Sequence, residues 1–310
     1  MTNVCNSFRL PRRQFLGATA GLAALGATAN VQAQAAEAHV VLRVMTYNIR
    51  YDNPGDGDDA WPHRRDAMGR FIADEKIDIA GFQEVLIGQA KDLAERLTDY
   101  AWYGIGRDDG KTQGEMSPLF YRKDRFERLN EGTFWLSTTP DKVGSKGWDA
   151  ALPRVCSWLK LRDKRSSQEF YICNTHFDHR GELARKLSAA LLRVKLPEIA
   201  GDSPLVLTGD FNCTSSEAPY KVLRAENAAS QGASGQPLVD ARSASAAKSE
   251  GADSTWNGFR EIVPGRRIDF IFVRQAEVHS HRVLDPKVKG RFLSDHLPVV
   301  AAISISGSKK

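Results

Sequence analysis

Cysteine is scarce in this chain: four in 310 residues, at spacings that match no zinc site. Cys5 lies in the N-terminal leader. Of Cys156, Cys173 and Cys213, two fall inside apolar runs, and the three read as small buried hydrophobes rather than a disulfide framework. No apolar run is long and uncharged enough to serve as a permanent membrane anchor, so the mature chain is expected to lack a transmembrane segment. Heptad repeats are absent, which excludes a coiled coil. There is no Gly-x-Ser-x-Gly elbow, and adjacent Ser294, Asp295 and His296 cannot fold back on one another as a serine-hydrolase triad.

Strong charge of either sign is also missing. The formal net charge is +5, but Arg9, Arg12 and Arg13 lie in a leader that carries no acid, so three of those charges belong to the leader. Residues 1–35 have the pattern of a twin-arginine export signal. Arg12-Arg13-Gln14-Phe15-Leu16-Gly17 comes first, then a weakly apolar stretch to Val31, then the small-x-small sequence Ala33-Gln34-Ala35. The expectation is an exported protein, periplasmic or secreted, with residues 36–310 as one domain. The low remaining charge does not argue for a nucleic-acid partner, although it does not remove nucleic acid from the list of substrates.

What is present is a globular α/β pattern. Val40–Ile49, Ile77–Phe82, Leu119–Arg122, Thr133–Leu136, Val155–Leu161, Glu169–Thr175, Leu205–Thr208, Ile268–Val273 and Leu297–Ile305 read as strands. Helices are expected after Pro62, around Ala90 to Leu97, and from Glu182, the last with Leu183, Leu187, Ala190, Leu191 and Val194 on its apolar face. Residues 225–254 are rich in Ala, Ser and Gly and read as a surface excursion broken at Leu238-Val239. Strands joined in some places by short links and in others by helices predict a mixed sheet system with flanking helices, and the pattern leaves open whether there is one sheet or two.

The chemistry-bearing side chains collect at strand ends. Asn48, Glu84, His176, Asp210, Asn212, Asp295 and His296 each stand at or just past the end of an apolar run, and Asp269 interrupts one. Carboxylates at the edge of a core are unfavourable unless paired or bound to a cation. Oxygen donors of this kind suit Mg²⁺, with Mn²⁺ as its substitute. Asp178, His179 and Arg180 follow His176 closely enough to reach the same place, and Trp256 could wall it.

In order along the chain stand Met45-Thr46-Tyr47-Asn48, Gly81-Phe82-Gln83-Glu84, Asn174-Thr175-His176, Leu207-Thr208-Gly209-Asp210-Phe211-Asn212, Arg267-Ile268-Asp269-Phe270-Ile271 and Ser294-Asp295-His296-Leu297-Pro298. This succession closely resembles the motifs of the endonuclease/exonuclease/phosphatase superfamily. The resemblance implies a DNase I-like sandwich of two packed mixed β-sheets flanked by helices, and a Mg²⁺-dependent phosphodiesterase acting as a monomer. It assigns Asn48, Glu84 and Asp295 to the metal side. Asp210 is then the group that orients or deprotonates the attacking water, Asn212 and His176 contact the phosphate, and His296 is oriented by Asp269. Asp178, His179, Arg180 and Trp256 are candidates for substrate contact. Two alternatives accompany this reading: a phosphomonoesterase on inositol or sugar phosphates, and a non-catalytic binding protein on the same fold. The second is disfavoured because every expected position holds a competent residue.

Overall fold

The computed structural model describes residues 41–224 and 238–305, so the export-signal expectation and much of the Ala/Ser/Gly-rich excursion lie outside the described residues. The chain runs β1 (Leu42–Asn48), a 3-10 turn (Pro54–Asp59), α1 (Trp61–Asp74), β2 (Ile79–Gln83), α2 (Ile87–Arg96), β3 (Tyr100–Tyr103), β4 (Leu119–Arg122), β5 (Phe126–Trp135), β6 (Val155–Asp163) and β7 (Glu169–His176). Next come α3 (Glu182–Ala200), β8 (Leu205–Asp210), α4 (Ala218–Leu223), β9 (Val239–Asp240), α5 (Ala241–Ala244) and β10 (Glu250–Gly251). The last strands are β11 (Asp269–Arg274), β12 (Ala276–Val283), β13 (Lys287–Val288), β14 (Arg291–Phe292) and β15 (Val299–Ile305).

Two mixed sheets pack face to face, one ordered β10-β12-β15-β1-β2-β4-β3 and the other β5-β6-β7-β8-β11-β9. Period-2 alternation explains how each strand serves two layers. Val44 of β1, Ile79 of β2, Ile172 of β7, Val206 of β8 and Ile271 of β11 meet in the core between the sheets. Their neighbours Met45, Ala80, Cys173, Leu207 and Phe272 point outward. The first two pack with Met68, Ile72 and Leu93 of α1 and α2. The other three pack with Leu192, Leu196 and Leu223 of α3 and α4. Because both faces of the central strands are buried, their sequences read as unbroken apolar runs.

Above this apolar tier the inward positions become polar. Asn174 donates to the carbonyls of Phe82 (2.7 Å) and Pro118 (3.0 Å), and its oxygen accepts from Gln83 Nε2 (2.7 Å) and Thr208 Oγ1 (3.0 Å). Gln83 Nε2 also reaches Thr46 Oγ1 at 3.0 Å. The side-chain amide of Asn174 thus ties its sheet to the other through Gln83 and the Phe82 and Pro118 carbonyls. Thr208 Oγ1, with one proton for Asn174 Oδ1 or the Cys173 carbonyl, flanks it in the same sheet. Gly81 faces the same cluster, and a Cβ there would stand 2.2 Å from Thr208 Oγ1.

The face of α3 differs from expectation. Its buried side is Ala184, Ser188, Ala189, Leu192 and Leu196, while Leu183 and Val194 are exposed. Small residues let the helix lie close to the sheet, and a reading weighted by side-chain size selects the wrong stripe. Strands β3 and β12 and the first half of β5 also go unpredicted. Their burial is partial, and the first half of β5, Glu127-Arg128-Leu129-Asn130-Glu131, looks like a loop. Cys156, Cys173 and Cys213 are free and buried.

Two predictions follow from this packing. Gly81→Ala should lower unfolding stability by about 1–3 kcal/mol, since the added methyl must part the sheets or strain the amide cluster; an unchanged urea midpoint would show that the gap is not held tightly. The second concerns His281, buried on β12 with Nδ1 2.7 Å from Ser249 Oγ. Burial, with Arg267 and Arg242 nearby and Asp240 opposing, pushes it from 6.5 down to about 4. The imidazole therefore stays neutral in the fold over a range where the unfolded chain takes up a proton, and the stability it supports is whole above pH 6.5 and lost as pH falls toward 4. His281→Asn should show a smaller fall in Tm between pH 7 and 4.5 than the parent, and parallel curves would assign the acid sensitivity to other groups.

Candidate active site

The inward row of each strand ends in a reactive group. Along β7 it runs Phe170, Ile172, Asn174, His176, and along β8 Val206, Thr208, Asp210. Asp269 begins β11. Register brings these ends together, since β7 and β8 are parallel with His176 beside Asp210, and β11 is antiparallel to β8 with Asp269 opposite Asp210. From the facing sheet, β1 ends at Asn48 beside Gln83 of the parallel β2, which places Glu84 directly after it. The turn before β15 brings Asp295 and His296, and Ser294 Oγ donates to Asn48 O at 2.7 Å. Buried Arg64 braces this corner by donating to the carbonyls of Ile49 (2.8 Å) and Leu293 (2.6 Å). Arg50, Glu84 and Asn212 adopt φ of 57°, 60° and 47°, backbone strain held in place by these contacts.

Asp210 is the hub. Its Oδ2 accepts from Asn48 Nδ2 at 2.9 Å and lies 3.4 Å from His176 Nε2 and 3.7 Å from His296 Nε2. Oδ1 accepts from the Asn212 backbone at 2.9 Å. Burial and then the charge of Asp269 raise its pKa to about 6. His296 Nδ1 bonds Asp269 Oδ2 at 2.9 Å. Burial alone would lower His296, but the charges of Asp269 and Asp210 outweigh it and hold the imidazole well above its ordinary value, as a cation. His176 goes the other way: burial, with Arg154 and Arg107 close, keeps it neutral. Asn212 Nδ2 stands 3.0 Å from His176 Nε2 and donates to it, which leaves the ring proton on Nδ1.

Two groups of residues offer themselves to a divalent cation. Asp210, Asp269 and His296 each present an atom within 4.8 Å of the others. That trio already satisfies itself, because the imidazolium sits between the two carboxylates. Glu84 and Asp295 are different. Burial and then the charge of Asp295 raise Glu84. Among the described residues the cation within ion-pair reach is Arg50, whose Nη1 is 4.0 Å from each carboxylate and whose fork is taken by Asp56. Two hard oxygen ligands with a charge deficit fit Mg²⁺ or Mn²⁺. Asn48 serves them as a strut: Nδ2 donates to Glu84 Oε1 (3.0 Å) as well as to Asp210, and its oxygen accepts from Arg50 N (3.0 Å).

These groups open on a hollow of about 490 Å³ lined by Arg50, Tyr51, Glu84, Glu115, Leu152, Arg154, His176, His179, Asp210, Asn212, Trp256, Asp295 and His296. Trp256 and His179 reach it, as their sequence positions suggested. Asp178 and Arg180 are not on its wall. Asp178 is buried and accepts from the backbone of Arg180 and Gly181 and from Arg154 Nε, so it shapes the turn instead. On this side of the hollow the arginine on the wall is Arg154, just before β6, while Arg180 is exposed. Sequence reasoning missed Arg50, Tyr51, Glu115 and Arg154. Arg50 and Tyr51 lie two and three residues past Asn48, but Glu115 carries no local signal.

A model of the endonuclease/exonuclease/phosphatase family matches residues 45–296. The chain belongs to that family. A family member from Bacteroides vulgatus has a solved structure that is 43% identical with a TM-score of 0.80, covering 86% of this chain and 99% of its own. The structure of a Bacteroides thetaiotaomicron mannosyl-6-phosphatase is 36% identical with a TM-score of 0.77, covering 85% of this chain and 100% of that one. An uncharacterised protein of Acanthamoeba polyphaga mimivirus is 27% identical over 254 residues, 77% of this chain and 91% of its own.

Mn²⁺ affinity measured by calorimetry distinguishes the two cation groups. Glu84→Gln and Asp295→Asn should each weaken it at least about tenfold, whereas loss on Asp269→Asn with the other two unaffected would move the ion to the Asp210–Asp269–His296 group.

Proposed function

We propose that this family member hydrolyses a small phosphate monoester, a sugar phosphate in particular, by attack of water at phosphorus. The observation that carries the reading is buried Asp210, with an ionisable oxygen facing two histidines of opposite protonation state. A carboxylate tuned close to neutral pH is suited to take a proton from water. Its Oδ2 accepts that proton while the Asn212 backbone and Asn48 fix its plane. The His296 imidazolium, held by Asp269, presents Nε2–H to a phosphoryl oxygen, and the amide of Asn212 is aligned by neutral His176. A divalent cation held by Glu84 and Asp295 would neutralise charge on the phosphoryl oxygens. The water oxygen forms the new bond to phosphorus as the ester P–O bond breaks. The leaving oxygen takes a proton from solvent, Asp210 gives its proton back to solvent, and an alcohol and inorganic phosphate leave.

The hollow has the volume of a small-molecule site, and the 36%-identical Bacteroides structure is that of a phosphatase of a mannosyl 6-phosphate. Both support a monoester. Diester cleavage, the expectation drawn from the motifs, would use the same reacting groups. Export through the Arg12-Arg13 leader belongs to the same proposal.

The test compares p-nitrophenyl phosphate with bis-p-nitrophenyl phosphate under Mg²⁺, Mn²⁺ and EDTA. The monoester should be cleaved faster, EDTA should abolish turnover, and Asp210→Asn should lower kcat by roughly 10²–10⁴. Faster turnover of the diester would restore the phosphodiesterase reading. Turnover of either compound undiminished by EDTA or by Asp210→Asn would sink the mechanism.

A further inference from the structure

One wall of the hollow is built from residues that the reaction does not use. Glu115 is gripped by the fork of Arg107, at 2.7 and 3.0 Å. Arg154 has a side chain 4% exposed; its Nε bonds Asp178 at 3.2 Å and its Nη2 bonds His179 Nδ1 at 2.9 Å. Its remaining nitrogen, Nη1, is buried without a hydrogen-bond partner, as are His176 Nδ1 and Arg107 Nε. Glu115 Oε2 stands 3.9 Å from His176 Nδ1. Arg107, Glu115, Arg154 and His176 also line a side recess of about 10 Å³, the room of a single oxygen atom. Buried donors without hydrogen-bond partners are uncommon in folded proteins, and three of them here belong to residues that line one recess.

The charges on this wall select the ligand. Arg107 and Glu115 cancel, and Arg154 and Asp178 cancel, so a second phosphate would gain no net attraction and would face the Glu115 carboxylate. A hydroxyl group can both accept from Arg154 Nη1 and donate to Glu115. We infer that Glu115 and Arg154, with His179 beside them, form a specificity subsite for neighbouring hydroxyl groups of a sugar ring whose phosphate lies at Asp210 and His296. This subsite rests on the sugar-phosphate reading above and names what holds the sugar. Half-buried Trp256, backed by Arg266 5.2 Å from its ring, offers an apolar face to the same hollow.

The test pairs mannose 6-phosphate with n-hexyl phosphate, which has the same carbon count and no hydroxyls. The parent protein with Mg²⁺ should prefer the sugar phosphate by at least about tenfold in kcat/KM. Glu115→Gln and Arg154→Lys should each shrink that preference by about ten- to a hundredfold, chiefly through KM. Arg154→Lys serves as the second variant where loss of the Arg107 partner unfolds Glu115→Gln. Calorimetric binding of both compounds to Asp210→Asn supplies a readout without turnover. Equal kcat/KM for the two compounds, or a preference undiminished in folded Arg154→Lys, would overturn the subsite and leave the hydrolase standing. Preferential binding of the sugar phosphate, lost on Arg154→Lys but accompanied by no hydrolysis, would do the reverse.

Discussion

Asn174 spans the gap between the two sheets, its amide bonded to Gln83 and the Phe82 and Pro118 carbonyls of the facing sheet and flanked by Thr208 of its own. Such a polar group inside a core is tolerable only when fully satisfied, and when satisfied it admits one arrangement of the groups around it. Gly81 belongs to the same constraint, since the cluster occupies the volume a side chain would need. Apolar packing alone would tolerate some sliding of one sheet over the other. The amide cluster fixes both the spacing and the register.

The site depends on that fixed spacing because neither sheet contains it. His176, Asp210 and Asp269 come from one sheet, and Asn48, Glu84 and the Asp295-His296 turn from the other. Asn48 Nδ2 bonds Asp210 and Glu84 at 2.9 and 3.0 Å, so the carboxylates of the two sheets share one strut. A displacement of one ångström between the sheets would break it. The central strands β1, β2, β7 and β8 thus carry three tiers: apolar residues, a polar tie, and the clustered carboxylates, amides and histidine at the open end.

Within the open tier, similar side chains take opposite roles because their surroundings differ. His296 between two carboxylates stays protonated, while His176, buried and then faced by Arg154 and Arg107, stays neutral. The same arginines stand on the polar wall beside Glu115, so the state of His176 is tied to the charges of that wall.

The sequence by itself determined most of the strands, the family and the side chains that the fold gathers at one end of the sandwich, because strand ends are local features and the motifs are contiguous. Its alternation was masked wherever both faces of a strand are buried, as in Leu205–Thr208, and it misassigned α3 because Ala184 and Ser188 pack closer than the leucines beside them. The tertiary structure alone decided that there are two sheets and that Gln83 and Asn174 tie them. It also decided that Arg154, not Arg180, reaches the hollow, and that Glu115 belongs to it. Those facts depend on contacts between residues as far apart as Gln83 and Asn174, and on which way a turn such as that after His176 throws its side chains. Neither is encoded in spacing along the chain.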